Sequence, residues 1–433
     1  MDAVRLLARI RRLPGPATAA MGAGLRHVPS ANARILAFLV SSGGGPDPYR
    51  QYRWLRRRGP VLATAGGMWV VTGHRAAAAV VRHRSTSVDD RNAPAIAPHH
   101  GGSPVVRLLD NTMLLSDPPA HDRRRHPVGR AFTPAKMAAL EAHVDDLAAR
   151  RIGALAGRGA ADLLAEFAYP FTVDVICEVL GVPDGDRWRF PGWAAALARA
   201  LDAVPDAAAL AAADRAAIEI QSYLKGQLDA LCPGEGGLLG HLAASRGSGG
   251  LSDEEAVANA ALLLVAGHET TANLIANGVH ALLAHPDQWA RVVAGAADGA
   301  AAVEELLRYC GPVHVVTRIT TEPLVVEGVE IPARAPVGVV LAAANRDPEV
   351  FDHPDCLLID RDPNPHLAFS AGIHACLGAH LARLETRCAL TQIARRLPGL
   401  RLAGVPVRRG TLTIMGFQRL AVRWSPAAGH HRR

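Results

Sequence analysis

Aromatic residues make up only 4% of the 433-residue chain, and cysteine is confined to six positions, 177, 232, 310, 356, 376 and 388. The cysteines form no Cys-x-x-Cys pair and no closely spaced set, which argues against a disulfide-built secreted scaffold or a zinc knuckle. A reducing cytoplasm is the expected compartment. No apolar run approaches the roughly 20 residues of a membrane-spanning helix, so no membrane insertion is expected. Residues 1–12 are basic and amphipathic and are followed by Pro14 and Pro16, without the apolar centre and cleavage site of a secretory signal. The glycine-rich fingerprints of nicotinamide and flavin sites are missing, as is any recognised nucleic-acid motif.

What is present describes a large globular protein. Apolar residues account for 49% of the chain, with abundant Ala and Arg, and the net charge is +7. Such a composition supports a buried core. Length alone would suggest two or three domains, although large single folds exist. The basic runs Arg56-Arg57-Arg58, Arg123-Arg124-Arg125 and Arg395-Arg396 read as solvated faces that also suit an acidic partner protein.

In chain order, residues 1–46 read as a partly unstructured lead-in and 426–433 as a tail. A helix is predicted from Pro48 to Arg58, then two strands, Val61–Thr64 and Met68–Thr72, around a Gly-Gly turn. Residues 88–112 show no periodicity and read as a binding loop. A helix is expected to start at Asp117-Pro118-Pro119, capped by Asp117. His121 and Arg125 then share one face and form a candidate carboxylate clamp, with Pro127 set to kink or end the helix. Residues 136–232 are helical in pattern, 186–206 reads as a lid, and 234–250 as a Gly/Ser-rich connection. A long helix runs from Ser252 to about His285, on the order of 50 Å, with acidic residues in its first turn. It is apolar nearly all round and therefore buried. In its middle, Ala266-Gly267-His268-Glu269-Thr270-Thr271 places an acid and hydroxyls where burial is costly; local opening there would admit a ligand or water, and a Gly-Thr kink with self-satisfied hydroxyls is the plain alternative. Strands are predicted from Val313 to Thr317 and at Leu324–Val326, a turn at Glu327-Gly328, and hairpin strands within Val405–Trp424.

The most informative stretch is Phe369-Ser370-Ala371-Gly372-Ile373-His374-Ala375-Cys376-Leu377-Gly378, followed at once by a helical pattern. Backbone N–H groups of such a loop and the positive end of the following helix favour a thiolate. A lone thiolate cannot build a four-ligand zinc site, but it can be the axial ligand of a haem iron, whose porphyrin supplies four donors. A buried, inert cysteine is the plain alternative. A Cys376–His374 nucleophile pair fails, because residues two apart in a loop rarely align base and thiolate and no third orienting group is evident.

The pattern Phe-x-x-Gly-x-His-x-Cys-x-Gly resembles the haem-binding loop of the cytochrome P-450 family. The resemblance implies a mainly α fold, a helical prism with a smaller β-rich lobe, spanning residues 47–425 as one domain. Haem b would lie between the long distal helix and the Cys loop. By that resemblance Cys376 is the iron ligand, Phe369 packs near its sulfur, and His121, Arg125, Arg318 and His374 hold the haem propionates. Thr270 would hydrogen-bond dioxygen and Glu269 would join the proton relay, with Ala266 and Gly267 leaving room above the haem. Glu305, Arg308 and Arg361 would form a structural triad behind it, and Ala343–Pro348 also matches. Ser370 stands where the family usually has Gly. The implied function is monooxygenation (hydroxylation or epoxidation) of a small, largely apolar natural-product intermediate. Electrons would come from NAD(P)H through a separate reductase and an acidic ferredoxin-type partner. Residues 88–112, 186–206, Val313–Thr317 and Ile414-Met415 would wall the pocket. Oxidative coupling or desaturation is the rival chemistry. A non-catalytic haem-thiolate binder is the rival from another class, and the Glu269-Thr270 pair argues against it.

Overall fold

The computed structural model describes residues 47–425 apart from 65–66, 93–101, 201–206, 232–236, 248–249 and 297. The lead-in 1–46 and the tail 426–433 lie outside the described residues, as do 93–101 of the 88–112 stretch and 201–206 of the 186–206 segment.

The chain opens with α1 (Pro48–Arg56), whose start is set by Pro48 and by Asp47 accepting from the Tyr49 amide. Strands β1 (Val61–Ala63) and β2 (Trp69–Val71) follow, then α2 (His74–Arg82), β3 (Thr86–Ser87), α3 (Pro104–Asp110) and α4 (Ala120–Gly129). Next come α5 (Pro134–Ala139), α6 (Glu141–Ala156), β4 (Ala160–Asp162), a π-turn at Leu164–Ala168, and α7 (Tyr169–Leu180). The middle of the chain holds α8 (Phe190–Ala200), α9 (Ala207–Ala230), α10 (Gly237–Ala244) and α11 (Asp253–Leu283), then α12 (Pro286–Val293) and α13 (Gly299–Cys310). Strands β5 (Val315–Thr320), β6 (Leu324–Val326), β7 (Val329–Ile331) and β8 (Pro336–Val340) run into the single turn α14 (Leu341–Ala344). The chain ends with α15 (Ala379–Arg396), β9 (Arg401–Leu402), β10 (Val407–Arg408), β11 (Phe417–Arg419) and β12 (Ala421–Arg423).

Helix α11 is the axis of the molecule. Its 31 residues begin in a capping box, with the Ser252 hydroxyl accepting from the Glu255 amide and Glu255 reaching back to the Ser252 amide. Helices α7, α8, α9, α13 and α15 pack around it. Together they bury the main apolar core, which draws Phe167, Phe171, Trp193, Leu264, Ile275, Leu306 and Ile393 from six segments of the chain. A second apolar cluster lies beside the five-stranded sheet, ordered β1-β2-β8-β5-β3. Within it β2 and β8 are parallel with Trp69 opposite Val337, while β5 and β8 are antiparallel with Arg318 opposite Val337.

Several expectations are corrected. Residues 104–110 are helix α3, with Pro104 at its first turn and Val105 and Leu108 buried; the proline read as a loop signal marks a helix start. Asp117 does not cap α4. Its carboxylate accepts from the Ser87 hydroxyl and the Val88 amide instead, and α4 begins at Ala120 without a side-chain cap. Pro127 falls in the last turn of α4, which ends at Gly129. Within 136–232 the structure inserts β4 and the π-turn; β4 pairs with β12, a partner far along the chain. Residues 190–200 of the lid segment form α8, packed on α9 and α11 with Phe190 and Trp193 buried. The 234–250 connection contains α10, held by buried Leu238, Leu239 and Leu242. The strand foreseen at Val313 begins at Val315. Val405–Trp424 does form a hairpin, β10 with β11, but β12 leaves it to pair with β4 and β9.

Candidate active site

The Cys loop is held from behind. Glu305 on α13 receives both Arg308 Nε and Nη2, at 2.7 and 2.8 Å, and Arg361 Nε at 3.1 Å. The Leu358 amide (2.8 Å) and Asn364 side chain (3.2 Å) complete its shell. Arg308 also donates to the carbonyls of Asn345, Pro354 and Cys356. A buried ion pair survives only when its remaining donors and acceptors are satisfied, and here they tie α13 to the chain entering the loop. Asn345 Oδ1 then accepts from the Leu367 amide at 2.7 Å. A second clasp, less visible in the sequence, joins Glu304 to His366 and to Arg383 of α15. Arg383 in turn lies 4.6 Å over the Phe369 ring.

Within the loop the Cys376 amide donates to Phe369 O at 2.9 Å and the Ala375 amide to Gly372 O at 3.1 Å. Gly372 has φ 75°, and a Cβ there would lie 2.8 Å from Val81 O. Only glycine meets both demands. Ser370 adopts φ 57°, which explains why glycine is the usual residue at that position; its buried hydroxyl has no partner among the described residues. Cys376 keeps accessible surface. Burial pushes its thiol up, opposed by the Gly378 N–H, Arg125 and Arg383. The loop amide thus acts in the expected direction, toward the thiolate, against the cost of desolvation.

Four of the foreseen binding residues come together beside this loop. The rings of His121 (α4) and His374 lie 4.5 Å apart. Arg125 donates to Ala375 O at 2.7 Å. Arg318, buried on β5, donates to its neighbour's Thr317 O at 2.8 Å. Burial, followed by the charges of Arg318, His121 and Arg125, drives His374 down to about 3. Burial also lowers Arg318 to about 10. His121 engages Asp122 through Nδ1 at 2.8 Å, leaving Nε2 buried and without a partner among the described residues. Converging donors with an orphaned buried nitrogen suit an anionic ligand. With the Cys376 thiol beside them they fit a haem and its two carboxylates.

Glu269 and Thr270 sit on α11, and no hydrogen bond or ion pair among the described residues joins them to that cluster. The helix is buried on every side in this region except at Ala266, Gly267 and Thr270. Of the two readings of this turn, the self-satisfied hydroxyl is the one found: α11 is continuous, and the Thr270 hydroxyl donates to Ala266 O at 2.7 Å. Gly267 serves packing more than room above a ligand, since a Cβ would meet Ile176 of α7 at 2.8 Å. His268 turns away to Thr172 at 2.9 Å and lies 5.0 Å from the Tyr169 ring; burial, with help from Arg409, takes it down to about 3. Glu269 is enclosed by the Tyr169 hydroxyl (2.9 Å), Asn273 (3.2 Å) and the Arg409 guanidinium. Sequence reasoning missed these three partners; Tyr169 and Arg409 lie 100 and 140 positions away. Ile414 bridges to Val313, and Met415 is buried, which brings two of the foreseen pocket segments together.

A family model described as cytochrome P-450 matches residues 300–398. The cytochrome P-450 monooxygenase PikC of Streptomyces venezuelae is 40% identical over 391 residues, covering 87% of this chain and 91% of that protein. The 6-deoxyerythronolide B hydroxylase of Saccharopolyspora erythraea is 34% identical over 392 residues, covering 87% and 96%. Among solved structures, P-450 BioI in complex with a hexadec-9Z-enoic acid-ligated acyl carrier protein superposes with a TM-score of 0.83 at 31% identity, covering 89% of this chain and 100% of that one. The chain belongs to the cytochrome P-450 family and is a haem-dependent monooxygenase supplied with electrons from NAD(P)H through redox partners.

Proposed function

We propose that residues 47–425 act as one catalytic unit that hydroxylates a small, largely apolar natural-product intermediate. The observation that carries this reading is Cys376, an exposed residue, beside the cluster of His121, Arg125, Arg318 and His374. The haem would supply the redox chemistry that splits dioxygen and transfers one of its atoms to carbon. Cys376 would hold the iron through its sulfur. His121 and Arg318, with Arg125 and His374 beside them, hold the two carboxylates and fix the ring's orientation. Thr270 would offer its hydroxyl, which now donates to Ala266 O, as a proton donor, and Glu269 would restore that proton. The Glu305–Arg308–Arg361 triad keeps the sulfur in place and handles no proton.

An acidic ferredoxin-type protein is the proposed electron donor. It would dock in the cytoplasm on the face around exposed Ile373, where Gly372 abuts α2 and Arg82, Arg84 and His380 are exposed. No helix among the described residues is long and apolar enough to cross a membrane. Charge-led docking weakens with salt, and electron transfer that ignores ionic strength would count against it. Turnover under isotopically labelled dioxygen tests the reaction: one labelled oxygen per product is expected. A product that has lost two hydrogens and gained no oxygen would replace hydroxylation with desaturation or coupling.

A further inference from the structure

Three donors converge on a single oxygen of Glu269. Oε1 accepts from the Tyr169 hydroxyl at 2.9 Å, from Asn273 Nδ2 at 3.2 Å and from Arg409 Nη1. Arg409 Nη1 also reaches the Tyr169 oxygen at 3.3 Å. Among the described residues, none bonds the other oxygen, Oε2. Arg409 belongs to the turn that links β10 to β11, and that turn is fastened along α11. Its amide donates to Gly416 O at 3.0 Å. Gly416 lies so close to Asn273 that no side chain would fit between them. Asn277 Nδ2 donates to Met415 O at 3.2 Å. Glu269, Asn273 and Asn277 are spaced by four and form one stripe of the helix. The turn 409–416 thus grips α11 along the segment that carries Thr270.

We propose that Arg409 is a positioning residue for Glu269. It pins the carboxylate by Oε1, so that Oε2 is the atom that exchanges protons. The proposal rests on Glu269 as a proton carrier. Without Arg409 the carboxylate keeps two neutral donors, loses its counter-charge in a buried site, and is free to turn. A misplacement of about 1 Å is worth on the order of a hundredfold in rate.

The test uses the haem-loaded protein with Arg409→Leu, Arg409→Lys, Glu269→Gln and the Arg409→Leu/Glu269→Gln double variant. Without turnover, urea midpoints of the ferric protein should fall for each single leucine or glutamine change, and the double variant should lose clearly less than the sum. In turnover, Arg409→Leu should cut product per electron by about ten- to a hundredfold and enlarge the solvent deuterium isotope effect, with Arg409→Lys recovering most of both. Additive midpoints, or an Arg409→Leu enzyme with wild-type coupling and isotope effect, overturn the proposal. If Glu269→Gln itself leaves coupling unchanged, Glu269 carries no proton and the proposal falls with that reading. If Glu269→Gln uncouples and Arg409→Leu does not, only the positioning role falls. Should the leucine variant not fold, Arg409→Gln takes its place in the same comparison.

Discussion

Replacing Ser370 with glycine should make the protein more stable, and the amount follows from two features of the loop. Ser370 holds a left-handed backbone, φ 57°, which costs an L-residue about 1–2 kcal/mol. Its buried hydroxyl finds no partner among the described residues, a further cost of about 1–3 kcal/mol. Glycine removes both and gives back about 0.5–1 kcal/mol through the freer unfolded chain. The net gain is about 1–4.5 kcal/mol. Ser370→Ala separates the terms, since it deletes the hydroxyl and keeps the strained φ. Urea unfolding of the ferric, haem-loaded protein at unchanged m-value should rank glycine first, alanine second and serine last. An alanine variant no more stable than the natural protein would mean that the hydroxyl is engaged in the loaded enzyme. A glycine variant less stable than serine would refute the strain argument outright.

Thr270→Ala should leave haem binding intact but cut product formed per NAD(P)H by about tenfold or more, read by comparing cofactor consumption with product; unchanged coupling removes Thr270 from proton delivery. Arg308→Met leaves Glu305 buried with Arg361 as its paired cation and orphans the carbonyls that Arg308 served, and should cost about 3–5 kcal/mol, seen as a lower urea midpoint and faster haem loss. Gly372→Ala forces a Cβ to 2.8 Å from Val81 O at φ 75°; a loss of about 2 kcal/mol or more is expected, and a midpoint equal to the natural protein would contradict the geometry. For pH, the Arg123 hydrogen bond chiefly holds Glu255 at about 2, helped by the Ser252 amide and Arg124 and opposed by burial. A lowered carboxyl contributes stability that is complete above the unfolded value near about 4.3 and is lost as pH falls through about 2. Glu255→Gln should flatten the stability profile across that window.

Local chemistry was legible in the sequence and long-range pairing was not. The Cys loop, the Glu305–Arg308 spacing and the cap of α11 each lie within a few residues, where backbone geometry fixes which side chains meet. Arg361 was legible by resemblance, and the structure brings it to Glu305 at 3.1 Å. Ser370 stood out as a departure, and the positive φ now gives its physical meaning. Helix α3 was hidden because Pro104 signals both a loop and a helix start. Helix α10 was hidden because the short apolar run Leu238-Leu239 sits among glycines. The partners of Glu269 could not be read, because Tyr169 and Arg409 reach it from α7 and from a hairpin whose register depends on the whole fold. Gly267 was assigned to ligand space, whereas its missing Cβ is needed by Ile176.

The central claim is that Cys376 is the axial ligand of a haem in this chain. The absorption spectrum of the purified, dithionite-reduced protein with carbon monoxide tests it most directly, with Cys376→Ser alongside. A strongly red-shifted Soret band in the natural protein, absent in the serine variant, is the predicted result. A histidine-type carbonyl spectrum, or no haem at all, would contradict the account at its centre.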